Sequence, residues 1–365
     1  MNDSLLQGGF DSLEEMFALV AEVNVTTTAR MKAFDRWKSA DGTKTGLLKL
    51  LKKQNEPVAP AAAQPATKAT GRDPFRITSR TAISFSGGRT SAYLVWRVLQ
   101  SNGGKLPPNV VVLFANTGKE REETLRFVRD CAVAWGIEIV WVEYRDNPDG
   151  YERVSYDTAS RDGEPFEALI RKRRYLPNPV TRFCTSELKI RTMHKYLRSL
   201  GWHDDDDGWD QLIGIRADEP RRVAKIRARG TSSETSKEIM CLPLAEAGIT
   251  KHDVGAFWRA QPFDLELANI KGTTPWGNCD LCYLKGPRQV MSMIRLEPQR
   301  AVWWAKQEQW ASDNIDGPAK GDGWRFRNDR PGYQRMLDYA TSQGEMHTDD
   351  IAVSADEAMS CFCGD

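Results

Sequence analysis

The sequence predicts an α/β protein built on a doubly wound parallel sheet, and three stretches carry that prediction. Thr81–Phe85 is apolar and extended, and it passes through Ser86-Gly87-Gly88-Arg89-Thr90-Ser91 into a helical pattern. Val110–Ala115 is a continuous apolar run, the form of a strand buried on both faces. Ile137–Val142 reads as a third strand, after a charged helix over Glu120–Trp135. A βαβαβ order of this kind gives parallel strands joined by right-handed crossovers. It places a ligand at the carboxyl ends of the strands, where the Ser86 and Asn116 loops both lie.

Taken in order, residues 1–53 read as a small helical appendage. Leu13, Met16, Phe17 and Val20 mark one amphipathic segment, Met31, Phe34 and Trp37 a second, and Leu47, Leu48, Leu50 and Leu51 a third. Residues 54–74 carry Pro57, Pro60, Pro65 and an alanine run, the composition of a linker. The principal domain is expected over 75–285. Its first helix runs over Thr90–Gln100, with Ala92, Val95, Trp96 and Leu99 at helical spacing. Residues 145–183 read as loop-rich and then basic, at Arg171–Arg174 and Arg182. Cys184 opens a helix with Leu188, Ile190, Met193, Leu197 and Leu200 inward, and Asp204–Asp207 reads as a solvated loop. Gln211–Ile215 is a fourth strand, ending in the cationic loop Arg216–Arg222. Ile239–Leu244 is a short extended piece and Lys251–Gln261 a helix. Residues 286–365 form a helical extension with Trp303, Trp304 and Trp310, closing on Cys361-Phe-Cys363.

A chain of 365 residues has room for roughly two domains. Its formal net charge of +1 selects no partner globally. No apolar run is long enough to span a membrane, and the first residues lack the basic-then-apolar form of a signal peptide. Seven cysteines, an odd number, argue against a secreted disulfide framework. The expected compartment is the reducing cytoplasm, where thiols stay available as ligands or nucleophiles.

The glycine turn aims several backbone N–H groups and the positive end of a helix dipole at one spot, which suits phosphate, pyrophosphate or sulfate. Gly87 and Gly88 admit the anion, and Ser86, Thr90, Ser91 and Arg89 can complete the cradle. A turn of this kind also occurs without a ligand. No Gly-x-x-x-x-Gly-Lys-Ser/Thr is present, and no Gly-x-Gly-x-x-Gly follows a strand. Cys279-x-x-Cys282 presents two thiols from one tight turn, and Cys184 can supply a third. Such a set suits a [4Fe–4S] cluster or zinc; plain buried thiols are the alternative. A tail cysteine, Cys241 or an exogenous sulfur would complete the ligands. Cys361 and Cys363 read as mobile nucleophiles or ligands, or as incidental thiols, and Cys131 as core. Arg171–Arg174, Arg182, Arg216, Arg221, Arg222, Lys225, Arg227 and Arg229 cluster around strand-end loops, which points to an anionic ligand or a nucleic-acid backbone.

The order of these motifs resembles a known family. SFSGGRTS is similar to the phosphate loop of the PP-loop (adenine nucleotide alpha hydrolase-like) superfamily. NTGKEREET, GIRADEPRR and LPLAEAGITKHDVGAFW resemble successive elements of its phosphoadenosine phosphosulfate (PAPS) reductase family, over residues 78–285. RFCTSELKI followed by CDLC resembles the iron–sulfur members. The resemblance implies a PP-loop/HUP-like fold. It implies an adenine nucleotide (PAPS, APS or ATP) held by Ser86, Gly87, Gly88, Arg89, Thr90, Ser91, Asn116, Thr117, Gly118, Gly214 and Arg216. It implies a cluster on Cys184, Cys279 and Cys282, and Cys361 and Cys363 as catalytic thiols served by a donor such as thioredoxin. Arg89 and Thr90 depart from the family's Lys and Asp in the loop, and Cys184 stands where many iron–sulfur members have paired cysteines. The tail Cys361-Phe-Cys363-Gly-Asp stands in place of a Glu-Cys-Gly-Leu-His ending. The first expectation is thiol-dependent reduction of a sulfonucleotide. The alternatives are an ATP- and Mg²⁺-using sulfurtransferase that draws on a sulfur donor to thiolate a nucleic acid, and a non-catalytic nucleotide-binding module docking through residues 1–53.

Overall fold

The computed structural model describes residues 73–202, 207–270, 272–316 and 323–342. The appendage expected over 1–53, nearly all of the linker, most of the Asp204–Asp207 run, and the tail with Cys361 and Cys363 lie outside the described residues.

Five strands run parallel: β1 (Thr81–Ser84), β2 (Val110–Asn116), β3 (Val140–Tyr144), β5 (Trp209–Leu212) and β6 (Glu238–Cys241). β4 (Tyr151–Val154) pairs antiparallel with β3. The sheet order is β4-β3-β2-β1-β5-β6. The helices in chain order are α1 (Arg89–Ser101), α2 (Glu122–Trp135), α3 (Glu164–Arg173), α4 (Thr192–Ser199) and α5 (Pro220–Arg229). They continue with α6 (Pro243–Glu246), α7 (Lys251–Ala260), α8 (Pro287–Leu296), α9 (Ala301–Asn314) and α10 (Tyr333–Ser342). A π-helical stretch, Cys184–Arg191, runs directly into α4.

The alternation of side chains along each strand builds two cores. Ile83, Phe85, Val112, Phe114 and Trp141 face one side, where α1, α2 and α7 bring Val95, Leu125, Val128 and Trp258 against them. Ala82, Leu113, Ala115, Val140 and Val142 face the other and meet Met193, Tyr196 and Leu197 of α4. The sheet is therefore doubly wound, as its apolar strands require.

Several boundaries differ from the sequence reading, each for a local reason. The stretch 145–183 is not all loop: it contains β4 and α3. Glu120 stays outside α2 because its carboxylate accepts the N–H and hydroxyl of Thr117, both at 2.8 Å. Ile137 belongs to the close of α2 rather than to β3. Gly136 turns left-handed (φ 61°), and the Ile137 N–H donates back to the Ala132 carbonyl at 3.1 Å. β5 ends at Leu212, and the Ile215 N–H folds back onto the Ile213 carbonyl at 2.9 Å. Leu200, expected inward, is exposed because α4 stops at Ser199.

A third core lies over Tyr144, at the carboxyl end of β3. α3, α8, α9 and α10 and the turn 281–284 enclose Phe166, Tyr283, Trp304, Phe326 and Tyr333, all within a few per cent of complete burial. The Trp304 ring stacks on Tyr333 (5.3 Å) and meets Phe326 edge-on (5.0 Å), and its Nε1 donates to Asp280 at 3.1 Å. Deleting that ring removes apolar burial, aromatic contacts and a buried hydrogen bond together. Trp304→Ala is expected to lower unfolding free energy by about 3–5 kcal/mol in urea titrations. Val133→Ala, at an exposed helical position, should change it by less than about 0.5 kcal/mol.

Candidate functional site

The turn between β1 and α1 is shaped by Gly87. Its φ is +80°, and a Cβ there would lie 2.5 Å from Thr124 Cγ2 and 3.3 Å from Phe114, so only glycine fits. Ser91 Oγ accepts the Ser86 N–H at 3.1 Å and donates to the Gly88 carbonyl at 2.9 Å, with Ser86 Oγ 3.0 Å away. Gly88 is the N-cap of α1, and no side chain caps the helix. The N–H groups of the first turn and the positive helix end are thus presented at the loop mouth.

Gly214 packs onto this loop from the segment just after β5. A Cβ there would stand 3.1 Å from Ser91 Cα. Arg216 follows and donates from Nη1 to Thr90 Oγ1 at 2.9 Å. Between the two strand ends lies a small open cleft. Ser84, Ser86, Ser91 and Lys189 are its polar lining. Leu113, Ala115, Met193, Ile213 and Ile215 supply apolar walls, and among the described residues no carboxylate lines it. Lys189 projects from the π-helical stretch. The sequence places Lys189, with Arg182, to compensate the charge of the cysteine thiolates, and the spacing of RFCTSELKI does not mark which basic residue turns toward the cleft.

Arg89 corrects the sequence reading. Its guanidinium does not enter the cradle. Nε and Nη2 reach the two Asp264 oxygens at 2.7 and 2.9 Å, Nη1 donates to Thr274 Oγ1 at 2.9 Å, and Nη2 also meets the Leu267 carbonyl at 2.9 Å. A buried guanidinium needs such a bidentate partner; Asp264 supplies it, and the charge is lost to the anion site.

The second loop is likewise braced inward. Asn116 is fully buried and donates to Glu143 Oε1 at 2.5 Å and to the Ser160 carbonyl at 2.9 Å, while its Oδ1 accepts the Gly118 N–H at 3.2 Å. Gly118 (φ +75°) brings the chain so close to Gly163 that a Cβ would sit 3.0 Å from its backbone. Neither Asn116, Thr117 nor Gly118 lines the cleft; they set the position of Glu120.

Glu120 joins the cleft to the cysteines. Its Oε1 lies 3.6 Å from Lys189 Nζ and 3.9 Å from Cys279 Sγ, and Cys279 Sγ is 3.3 Å from Thr117 Oγ1. Burial, and then the Glu120 carboxylate, push the Cys279 thiol well above its ordinary pKa, with Lys189 pulling the other way. Cys184 Sγ is 3.1 Å from Oη of Tyr283, the residue that follows buried Cys282. Cys184, Cys279 and Cys282 therefore border one core region, whereas Cys241 lies on β6 and packs with the opposite core. Among the described residues no group of three His, Cys, Asp or Glu side chains is gathered to hold a single metal ion. The turn that carries the two cysteines is strained: Asn278 and Leu281 both have left-handed backbones, at φ 59° and 43°. Cys131 is buried in the core that α1, α2 and β2 share.

Most of the basic run is also engaged internally. Arg171 pairs with Glu167 and stacks over Trp310 (3.9 Å), Lys172 pairs with Asp146, and Arg173 with Glu187. Arg174 donates to the Asn314 carbonyl. Lys172, Arg173 and Arg174 are exposed despite these partners, as are Arg221, Lys225, Arg227 and Arg229 of α5. No helix among the described residues is long and apolar enough to cross a membrane.

In comparisons with known proteins, the phosphoadenosine phosphosulfate reductase domain is matched over residues 80–265. An uncharacterized nin region protein, ORF290, of Escherichia phage lambda is 33% identical over 220 residues, 57% of this chain and 67% of that protein. Two solved structures are distantly alike. The PAPS reductase of Candida auris in complex with phosphate is 16% identical, over 49% of this chain and 70% of that one, with a TM-score of 0.30. The U34-tRNA thiolase NcsA of Methanococcus maripaludis, with its [4Fe–4S] cluster, is 16% identical, over 75% and 83%, with a TM-score of 0.32.

Two outcomes follow from this geometry. Gly87→Val is expected to weaken binding of adenosine 5′-monophosphate at least roughly tenfold by calorimetry, because the turn cannot hold a side chain; equal affinity in the two proteins would remove the cradle. Asp264→Ala strands the buried Arg89 charge and is expected to cost about 3–5 kcal/mol of stability. Replacing both residues by apolar ones should cost much less.

Proposed function

The chain belongs to the phosphoadenosine phosphosulfate reductase domain family, and on that premise we propose that it binds an adenine nucleotide in the cleft and reduces a sulfonucleotide, PAPS or APS, with thiol electrons. Lys189 carries the reading. It lines the cleft and pairs with Glu120, which in turn neighbours the Cys279 thiol. An anion held at the Ser86–Ser91 loop would lie within the field of that ammonium and of the α1 helix start.

The cleft walls favour this substrate over a magnesium triphosphate. Magnesium is normally bound through carboxylates as well as phosphates, and among the described residues no carboxylate lines the cleft. A phosphosulfate is recognised by N–H groups, hydroxyls and an ammonium alone. In the reaction a thiolate of the chain attacks the sulfate sulfur, and the sulfur–oxygen bond to the nucleotide phosphate breaks. The nucleotide leaves with that electron pair, and an S-sulfonate remains on the cysteine. A second thiol, from the chain or from a thioredoxin-type donor, then attacks the cysteine sulfur. It expels sulfite and leaves a disulfide. Cys361 and Cys363 are the proposed attacking thiols.

Cys184, Cys279 and Cys282 are the residues that would hold a [4Fe–4S] cluster, with zinc the less suited occupant. The cluster would add a soft, thiolate-bound iron–sulfur group next to the cleft. Thr117, Glu120 and Lys189 would surround it and set its polarity. The exposed cations of α5, next to the loop after β5, favour one second reading. In it the same cleft uses ATP to activate a nucleic acid for thiolation, with the phosphate backbone held by α5.

The two readings separate in one set of assays on anaerobically purified protein. The reductase reading expects sulfite from PAPS or APS with a thiol donor and no nucleic acid. Pyrophosphate or AMP formed from ATP only when RNA or DNA is added would replace it with the second. The wild type is expected to carry iron, and Cys279→Ser to lose most of it; full iron in that variant ends the cluster proposal. A chain truncated after Ser360 should keep its iron and lose sulfite release.

A further inference from the structure

Beneath the cleft a line of four polar side chains crosses the sheet. His194 of α4, Gln211 of β5 and Glu238 of β6 are each 5% exposed or less, and Ser84 at the end of β1 borders the cleft. His194 Nε2 lies 2.9 Å from Glu238 Oε2. With the Gln211 amide assigned from its hydrogen-bonding pattern, its nitrogen donates to Glu238 Oε1 at 2.9 Å. Its oxygen accepts from Ser84 Oγ at 2.9 Å and from the Ser84 N–H at 3.2 Å.

The direction of this line is determined by its chemistry. A backbone N–H can only donate, so the Gln211 oxygen must face Ser84 and its NH₂ must face Glu238. The Ser84 hydroxyl proton is thereby held on Gln211. What Ser84 offers the cleft is lone pairs. Around it the walls are apolar, formed by Leu113, Ala115, Met193 and Ile213, a slot suited to a flat ring rather than to phosphate. We infer that Ser84 Oγ is a specificity-determining acceptor that reads the exocyclic amino group of the nucleotide base, and that Gln211, Glu238 and His194 are positioning residues that prevent it from acting as a donor. The inference rests on the adenine-nucleotide reading above and names the group that makes the cleft choose that base. An amine at the purine 6-position donates to Ser84. A 6-oxo purine meets it lone pair to lone pair, and a site with a buried group left unpaired rejects such an analogue strongly.

The test is the ratio of affinities for adenosine and inosine 5′-monophosphate, read by calorimetry on the full chain, with melting temperature as a check on folding. The wild type is expected to prefer the adenosine nucleotide by roughly tenfold or more. Ser84→Ala should bring the ratio within about threefold by weakening the adenosine nucleotide. Gln211→Leu should also collapse the ratio, by the opposite route. It frees the hydroxyl to turn and donate to O6, so inosine monophosphate binds more tightly. A core network with no part in recognition would shift both ligands together and leave the ratio alone. Equal wild-type affinities, or an unchanged ratio in folded Ser84→Ala, overturn the assignment while leaving the adenine reading intact. A wild type that binds neither nucleotide overturns that reading, and this inference falls with it.

Discussion

The functional end of the molecule depends on one nearly buried carboxylate, Glu120. Its Oε2 takes both donors of Thr117, which closes the turn after β2. Its Oε1 faces an ammonium and a thiol on two other segments, at Lys189 and Cys279. A carboxylate removed from water needs this many partners. The demand works in both directions: the π-helical stretch, the Cys279 turn and the β2 loop are held in register because each supplies one of those partners. The Lys119–Asp280 pair and the Asp280 N–H bonded to the Lys119 carbonyl (2.7 Å) secure the same junction from the next residue along.

The C-terminal helices acquire their role from that junction. Asp280 is reached by Lys119, Arg300 and the Trp304 indole, so the cysteine turn is tied to the third core as well as to the sheet. Trp303 packs on Phe166, beneath the Lys119 ammonium, and close enough to Gly163 that no side chain fits there. The layer over β3 is thus part of the site's support, although its residues contribute nothing to the cleft walls.

The sheet was legible in the sequence because strand alternation and the glycine turn are local signals. Ile83 and Phe85 state their face by spacing alone, and Gly87 announces a backbone that other residues do not adopt. The extent of the active surface was less legible. Arg89 carries the charge that an anion loop calls for, yet its direction was decided by Asp264, 175 residues away. Lys189 and Glu120 are ordinary charged residues in sequence, and only the packing of three segments makes them neighbours. β4 was hidden for a different reason: Tyr-Glu-Arg-Val has two charged residues at its centre and gives almost no apolar pattern.

That weak strand has a consequence for the molecule in solution. An open sheet ends in two rows of unpaired backbone groups, each a template for another chain. At one end β4 reverses direction and presents Glu152 and Arg153, both exposed, so an incoming strand would meet charge at its middle. At the other end β6 is four residues long, and the chain just before it folds back: Met240 N–H bonds to Gly230 and Ser232 N–H to Glu238. Ile239 is half exposed there, but the strand bearing it already has company on its outer side. Among the described residues, both margins of the sheet thereby disfavour an incoming strand.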